Sequence, residues 1–458
     1  MGETHDLKGL AMHRAILAIA LPSMLTNVAT ALFGLADMWV IGRLGDASAQ
    51  GAVEIGAKLL MTLLIVFNFL RSGTVALTAQ AAGRSDEAAQ SAALARSLAV
   101  AAAVGALFLA AMPLVIPFGL GLFGAKGQVA VLARTYVQIR YVGGLAWLIN
   151  AVLTGWLIGR RRVRAVLAVE VGSNLLHIAL DVSLVLGLHL GVAGVAFATL
   201  TSETAKLVAL AAMASREAPA RGFGAVLRRA ETWRPSEIGQ LLRLNRDLFA
   251  RTLLLMTATV LLTRTGAQQG PTILAANAIL YQLFMLSALL LDGFESSAQV
   301  LCGEAMGGGR RGQFQRLVWA ILAWAWGAAG LVTLAYALLG GRLAASFSTA
   351  PAVVAATGAY IGWAVVLPVA GVTSFVFDGV FIGSSWTRAM LASMAAALAV
   401  FVGLLVAAQP LANNGLWLAF TLFFVARAAG QAILTPGLIR RSFPEAARPA
   451  PMAQEQPA

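Results

Sequence analysis

Residues Ile16 to Gly45 read ILAIALPSMLTNVATALFGLADMWVIGRLG, an apolar run that holds a single carboxylate, Asp37. The run is long enough to cross a bilayer, for which about 20 apolar residues suffice. A carboxylate near the bilayer centre costs roughly 2.5–3.5 kcal/mol on insertion scales and by default marks an ion path. The run therefore predicts a membrane-spanning helix whose acid faces protein or water. The alternative is that Asp37 only pairs with a basic neighbour and holds two helices together.

The small and polar side chains of this run share one helix face. Asn27, Thr30, Gly34 and Asp37 follow one another at steps of three, four and three residues, the spacing of neighbours on a helix surface. We expect the first three to line a substrate cavity. Pro22, earlier in the run, removes one backbone hydrogen bond, which predicts a hinge in this helix.

The composition indicates a polytopic membrane protein. Of 458 residues, 59% are hydrophobic and only 12% are charged, whereas soluble domains carry about 25% charged residues. The single cysteine, Cys302, excludes an intramolecular disulfide, and no histidine or cysteine spacing is typical of a metal site. The net charge of +13 is spread over short loops, which is a topology signal and predicts no nucleic-acid partner.

Twelve apolar runs of spanning length follow one another along the chain: 15–42, 52–81, 91–117, 130–158, 165–188, 191–214, 248–266, 272–303, 316–340, 353–383, 388–409 and 414–438. Successive loops between the runs lie on alternate sides of the membrane. The loops on one side hold few basic residues: Arg43, Lys58, Lys126, Arg134, Arg264 and Arg342. The opposite side holds three times as many or more, a bias typical of the cytoplasmic face. We therefore predict a multi-pass protein of the cell inner membrane with both termini in the cytoplasm.

A long polar stretch near the middle divides the chain in two. The predicted segments are a cytoplasmic N-terminal segment, an N-lobe of six spans, a linker, a C-lobe of six spans and a disordered tail, at 1–14, 15–214, 215–246, 247–440 and 441–458. The two halves repeat, since TGWLIGRRRVRAVL (154–167) aligns with DGVFIGSSWTRAML (378–391). This predicts an all-α fold of twelve transmembrane helices in two pseudo-symmetric six-helix bundles, related by an axis along the membrane normal.

A second intramembrane acid lies in the fifth run, EVGSNLLHIALDVSLVLG (170–187). Glu170, Asn174, His177 and Asp181 are spaced four, three and four residues apart and form one polar stripe. Because His177 lies one turn from Asp181, the two side chains can share or relay a proton. The alternative is a histidine whose hydrogen bond goes to a backbone carbonyl.

Other polar residues occur inside apolar runs. Two pairs on single helices are interpreted as structural, Glu203 with Lys206 and Asp247 with Arg251. Arg71 and Arg427 are expected to neutralise some of the C-lobe acids. The remaining candidates are assigned to the substrate cavity: Trp147, Asn150, Thr154, Asp292, Glu295 and Asp378.

Several stretches together resemble the multidrug and toxic compound extrusion family, and in particular its DinF-type branch. They are HRAILAIALPSML (13–25), ADMWVIGRLG (36–45), SNLLHIALD (173–181), GVAGVAFATLTSE (191–203), AANAILYQL (275–283), LLLDGFESSAQVLCGEAMG (289–307) and FDGVFIGSSWTRAM (377–390). The resemblance covers nearly the whole chain. It implies a two-lobed antiporter in which inward ion flow drives the export of amphipathic, often cationic, compounds.

The resemblance also assigns roles to residues. It implies an ion-coupling site at Asp37 and Asp181, a protonation-linked bend at Pro22, and a sixth-span hydroxyl at Thr199. Asn174 and His177 are added to the coupling site from the polar stripe. Where the family usually has an asparagine one turn before the fifth-span acid, this chain has His177, which favours protons because imidazole is a poorer ligand for a hard cation than an amide oxygen. Sodium at Asp37 and Asp181 stays open.

The predicted function is therefore cation-coupled antiport, with the proton favoured over sodium as coupling ion, and with no resident metal or further cofactor. Predicted partners are amphipathic or cationic small molecules and membrane lipids, and the protein is predicted to be a monomer. One alternative is a flippase for a lipid-linked precursor from the same superfamily. A membrane-embedded enzyme is the other, but no HExxH, GxSxG or Cys/His cluster supports it, so we predict no enzymatic activity.

Overall fold

The computed structural model describes residues 9–217 and 223–444, and almost all of them are helical. Fifteen α-helices follow in chain order: α1 Gly9–Gly42, α2 Ala47–Ile65, α3 Phe69–Gly83, α4 Glu87–Leu122, α5 Gly127–Val142, α6 Gly144–Gly159, α7 Val163–Asp181, α8 Gly191–Glu217, α9 Phe223–Arg228, α10 Pro235–Ala267, α11 Pro271–Gly307, α12 Arg311–Ser346, α13 Pro351–Gly383, α14 Thr387–Ala407 and α15 Ala412–Ser442. The N-lobe is α1 to α8, and the C-lobe is α10 to α15.

The predicted count of twelve spans is confirmed. In the described residues, eleven helical segments are long and apolar enough to cross a membrane, and α5 with α6 forms a twelfth span that is bent by 44°. The second span is α2 and α3 joined by a 3₁₀ turn at Val66–Asn68. The fifth span is α7 extended by a π-helical turn at Val182–Gly187.

Local sequence signals explain where the helices begin. Asp46 and Asp86 are N-caps, and their carboxylates accept hydrogen bonds from Ser48 N at 2.8 Å and from Ala89 N at 2.8 Å. Pro235, Pro271 and Pro351 occupy the first turns of α10, α11 and α13, where a missing N–H costs nothing.

The segment boundaries differ in detail from the apolar runs. α8 continues to Glu217, and α10 begins at Pro235, thirteen residues before the seventh apolar run, because polar residues continue the helix beyond the apolar part. α15 ends at Ser442. Residues 1–8, 218–222 and 445–458 lie outside the described residues, so the predicted disorder of the tail stays a prediction.

Repeated glycines explain why the two halves align. Gly155 on α6 packs against the backbone of Arg71 on α3, and Gly379 on α13 packs against the backbone of Glu295 on α11, so closely that a Cβ at either glycine would overlap the facing carbonyl oxygen. The fourth span of each lobe therefore lies directly on the second span of the same lobe. The repeat preserves this close helix contact.

The lobes meet along α1 and α3 on one side and α11 on the other. Ser297 Oγ donates to Ile16 O at 2.9 Å, and Asn27 Nδ2 donates to Leu289 O at 3.2 Å. The outer faces carry exposed apolar side chains such as Leu114, Trp319 and Leu338, as a surface in contact with lipid requires.

Candidate functional site

Three titratable side chains from α1 and α7 form a buried cluster inside the N-lobe. His177 Nε2 lies 2.6 Å from Asp37 Oδ1 and 3.1 Å from Asp181 Oδ2. Asp37 is 3% exposed, and His177 and Asp181 are fully buried. The polar stripe places His177 beside Asp181 on α7, and the packing of α1 on α7 brings Asp37 to the same imidazole.

His177 Nε2 contacts the two carboxylates of the cluster in different ways. Nε2 carries at most one N–H, and this bond is directed to Asp37. Although Asp181 Oδ2 lies near the same nitrogen, neither oxygen of Asp181 makes a geometrically acceptable hydrogen bond within the described part of the chain. A buried carboxylate with unsatisfied oxygens is costly, which makes Asp181 a candidate position for a proton or a cation.

The other ring nitrogen of His177 faces α8. Nδ1 lies 3.5 Å from Ser202 Oγ, which donates its own hydrogen to Thr199 O at 3.0 Å. Ser202 Oγ can therefore act as an acceptor toward Nδ1. The environment thus accommodates an imidazole that is protonated on both nitrogens, with acceptors on both sides of the ring.

Two more residues were predicted for ion coupling, Asn174 and Thr199. The structure describes no side-chain hydrogen bond from either of them to the cluster. Asn174 Nδ2 donates to Ala29 O at 2.8 Å and so ties α7 to α1. Thr199 Oγ1 donates to Val195 O at 3.1 Å, a bond within its own helix. Their role in ion binding stays a prediction. Pro22 lies within α1, which remains helical on both sides of it.

A second polar group lies two turns earlier on α7. Lys206 Nζ is 2.7 Å from Glu170 Oε2, and Thr30 Oγ1 donates to Glu170 Oε1 at 3.1 Å. Asn150 Nδ2 donates to Glu203 Oε2 at 2.9 Å. The predicted pairing of Glu203 with Lys206 is therefore wrong, because α7 supplies a carboxylate closer to the ammonium than the one on α8.

A cavity of about 990 Å³ lies between the lobes. Its walls are α1, α2 and α3 of the N-lobe and α10, α11, α13 and α15 of the C-lobe. Of the residues predicted to bind substrate, Asn27, Asp292 and Glu295 line it. The others lie outside its lining, and their contact with substrate stays a prediction: Thr30, Gly34, Trp147, Asn150, Thr154 and Asp378.

Asp378 lies behind the cavity wall in a charged network. Its Oδ2 contacts the Nη2 atoms of both Arg251 and Arg427, and its Oδ1 accepts a hydrogen bond from Gln431 Nε2 at 2.7 Å. Arg427 was expected to neutralise a C-lobe acid, and the structure agrees. Arg251 was not assigned to Asp378, although an arginine within a membrane-spanning helix is a signal for such a pairing.

The predicted pairing of Asp247 with Arg251 is wrong. Asp247 Oδ1 is 2.8 Å from Arg246 Nη2, and Thr387 Oγ1 donates to its Oδ2 at 3.1 Å. Arg251 instead points toward α13, where it contacts the fully buried Asp378 carboxylate.

The lobes are joined tightly at one end of the cavity. Gly83 of α3 and Gly307 of α11 each pack against the backbone of the opposite helix. Arg161 Nε donates to Glu304 Oε1 at 2.7 Å, and Gln80 Nε2 donates to Ser385 Oγ at 2.8 Å. All these residues lie at or beside loops that the charge bias predicts to be cytoplasmic, so the cavity is closed on that side.

Two six-helix lobes, a buried titratable cluster in one of them and a mostly apolar cavity between them define a class of protein, the two-lobed secondary transporters. Comparison with known proteins agrees. The MatE family model matches residues 22–183 and 248–408. DNA damage-inducible protein F of Escherichia coli is 36% identical over 416 residues, which cover 90% of each chain.

The chain belongs to the MatE family, whose members are multidrug efflux transporters of small molecules. A probable multidrug resistance protein NorM of Rhizobium meliloti is 25% identical over 341 residues, which cover 72% of this chain and 71% of that protein. The solved structure of a multidrug resistance MATE family transporter in an outward-facing conformation matches with a TM-score of 0.82 at 20% identity, covering 94% of this chain and 96% of that one. The predicted family and the two-lobed fold are thus confirmed.

Proposed function

We propose that this transporter exchanges protons for amphipathic small molecules, with Asp37, His177 and Asp181 as the coupling site. The observation that carries the proposal is that one imidazole nitrogen lies within 3.1 Å of two buried carboxylates from different helices. Three titratable groups in such close contact exchange protons as a unit. A proton that enters this cluster changes the electrostatic attraction between α1 and α7.

The site favours protons over sodium because one of its three potential ligands is an imidazole nitrogen. One ligand atom from each of Asp37, His177 and Asp181 lies within 4.8 Å of the other two. Sodium, a hard cation like calcium and magnesium, is best held by oxygen ligands, and here an imidazole nitrogen occupies the space between the two carboxylates. Sodium could bind only if the ring moved away.

Helix α1 connects the coupling site to the cavity. It carries Asp37 at the cluster and Asn27 at the cavity wall, and Asn27 bonds to α11 of the opposite lobe. Protonation of Asp37 weakens its bond to His177, which allows α1 to shift and to bend at Pro22. Such a shift couples protons to substrate only if the two states bind substrate with different affinity.

The proposal also includes an orientation in the membrane. The charge bias supports cytoplasmic termini in an inner membrane, and the closed end of the cavity then faces the cytoplasm. The described conformation is accordingly the outward-facing half of an alternating-access cycle, and each monomer contains a complete cavity and coupling site.

The test uses purified protein in lipid vesicles with an imposed proton gradient. Uptake of rhodamine 6G and of its free acid is followed together with the internal pH. We expect Asp37→Asn and Asp181→Asn to abolish substrate-coupled proton movement at normal reconstitution levels, because neither amide can take up and release a proton. Replacing sodium with choline is expected to leave transport unchanged.

Glu87→Gln is the matched control. This exposed acid lies in the first turn of α4, a helix that contributes no residue to the cluster. Proton-driven export that persists undiminished in Asp37→Asn would sink the proposal. Transport that stops on removal of sodium at constant pH would identify sodium, and not the proton, as the coupling ion.

A further inference from the structure

The charged residues of the central cavity are of both signs. Arg71 of α3 and Asp292 and Glu295 of α11 all line it. None of these three side chains makes a hydrogen bond or a close ion pair with another residue in the described ranges. They are therefore the charged groups that a substrate in the cavity can engage.

The other charged groups at the cavity wall are already engaged. Arg251 and Arg427 share the carboxylate of Asp378, so this triad retains one net positive charge. Lys58 is paired with Glu54 at 2.6 Å. By formal charge, Arg71 and the triad contribute two positive charges, and Asp292 and Glu295 contribute two negative ones.

Arg71 lies between acids of the two lobes. Glu170 of the N-lobe and Glu295 and Asp292 of the C-lobe all lie close enough to attract its guanidinium electrostatically. Glu170 already binds Lys206. Arg71 therefore offers its planar set of N–H donors to the cavity, and this set matches a carboxylate with two parallel hydrogen bonds.

The rest of the lining is apolar and aromatic. Phe284, Phe375, Phe420 and Phe424 form one wall, and their rings contact one another at centroid distances of 5.2–6.5 Å. Such a surface binds a flat, apolar ring system. The cavity thus combines an aromatic wall with separate positive and negative groups.

We infer that the preferred substrates are zwitterionic amphipaths, whose carboxylate binds Arg71 and whose cationic group binds beside Asp292 and Glu295. A purely cationic compound leaves the Arg71 guanidinium unpaired in a cavity of low dielectric constant. A purely anionic compound leaves both carboxylates unpaired. The inference refines the substrate class of the proposed exchanger and rests on that function.

Equilibrium binding to the purified full-length protein, without a proton gradient, tests this inference. Rhodamine 6G is a cationic ethyl ester and its free acid is a zwitterion with the same ring system. We expect the free acid to bind more tightly to the wild type, and Arg71→Gln to weaken its binding by about tenfold or more, since charge-assisted hydrogen bonds are among the strong ones. Binding of the ester is expected to change less than about threefold, because it makes no such bond.

Two further variants keep the test decisive. Arg71→Lys retains the charge but not the planar donor set, so it should fall between wild type and Arg71→Gln for the free acid. Arg134→Gln, at an exposed residue of α5 outside the cavity lining, should leave both affinities unchanged. Tighter binding of the ester to the wild type, or an equal loss of both dyes in the Arg71 variants, would overturn the inference.

This result is separable from that of the transport test. Loss of proton coupling in Asp37→Asn concerns the N-lobe cluster and leaves the equilibrium comparison of the two dyes intact. Failure of the dye comparison, in turn, leaves proton exchange in vesicles as a separate measurement.

Discussion

At the scale of single residues, Asp378 and Asp292 have different environments although both are acids within C-lobe spans. Asp378 is fully buried and balances Arg251 and Arg427. Asp292 lines the cavity, and no close ion pair to it is seen within residues 9–217 and 223–444. Removal of one member from a buried ion pair typically costs about 3–5 kcal/mol because the partner charge is left uncompensated.

We therefore expect Asp378→Asn to lower the midpoint of thermal unfolding in detergent clearly, since two guanidinium groups would lose their shared carboxylate. Asp292→Asn is the matched control and should leave the midpoint nearly unchanged. Equal stability of the two variants would contradict a structural role for Asp378. It would favour the prediction from the sequence that Asp378 binds substrate.

At the scale of helices, the closed end of the cavity depends on glycines. Gly83 of α3 faces the carbonyl oxygen of Glu304 on α11, and Gly307 of α11 faces that of Gln80 on α3. A methyl group at either position would overlap the opposite backbone. The two lobes can approach this closely only because neither residue has a side chain.

We expect Gly83→Ala to open this end of the molecule, even though alanine is the better helix former by about 1 kcal/mol. Spin labels on Arg84→Cys and Arg388→Cys in a Cys302→Ala background report the distance between the lobes, and the distribution should move to longer distances.

Gly172→Ala on α7 is the control for this experiment, since nothing lies within 4 Å of the added methyl group, and it should leave the distances unchanged. An unaltered distribution in Gly83→Ala would mean that the lobes are held together elsewhere.

At the scale of the whole molecule, the cavity lining extends toward one end of the described helices and not toward the other. Along α2 and α3 its lining runs from Lys58 to Ser72 and does not reach Gly83. The proposed cytoplasmic termini place the start of α2 at the external face, so we expect the cavity to be accessible from outside.

We expect Thr62→Cys, in a Cys302→Ala background, to react with a membrane-impermeant maleimide added outside the cell, because Thr62 is an exposed residue of the cavity lining. Arg84→Cys, at the closed end, should react only in inverted vesicles. The reverse labelling pattern would show that the predicted orientation is wrong.

Much of this organisation could be predicted from the amino-acid sequence. Hydropathy located the spans because a bilayer requires a minimum apolar length, and the residues of one helix face follow from a period of 3.6. The contact of His177 with Asp181 is of this kind, as both lie on α7. The repeated glycines Gly155 and Gly379 were visible as an alignment, although not as a contact between spans.

What only the tertiary structure decided is which side chains of different helices meet. Lys206 pairs with Glu170 instead of Glu203, Arg251 pairs with Asp378 instead of Asp247, and Asp37 reaches the imidazole of His177. The amino-acid sequence determined the spans, the family and the candidate acids, since these depend on composition and local spacing. Pairing across helices depends on the rotation and depth of each packed helix, which no local pattern encodes.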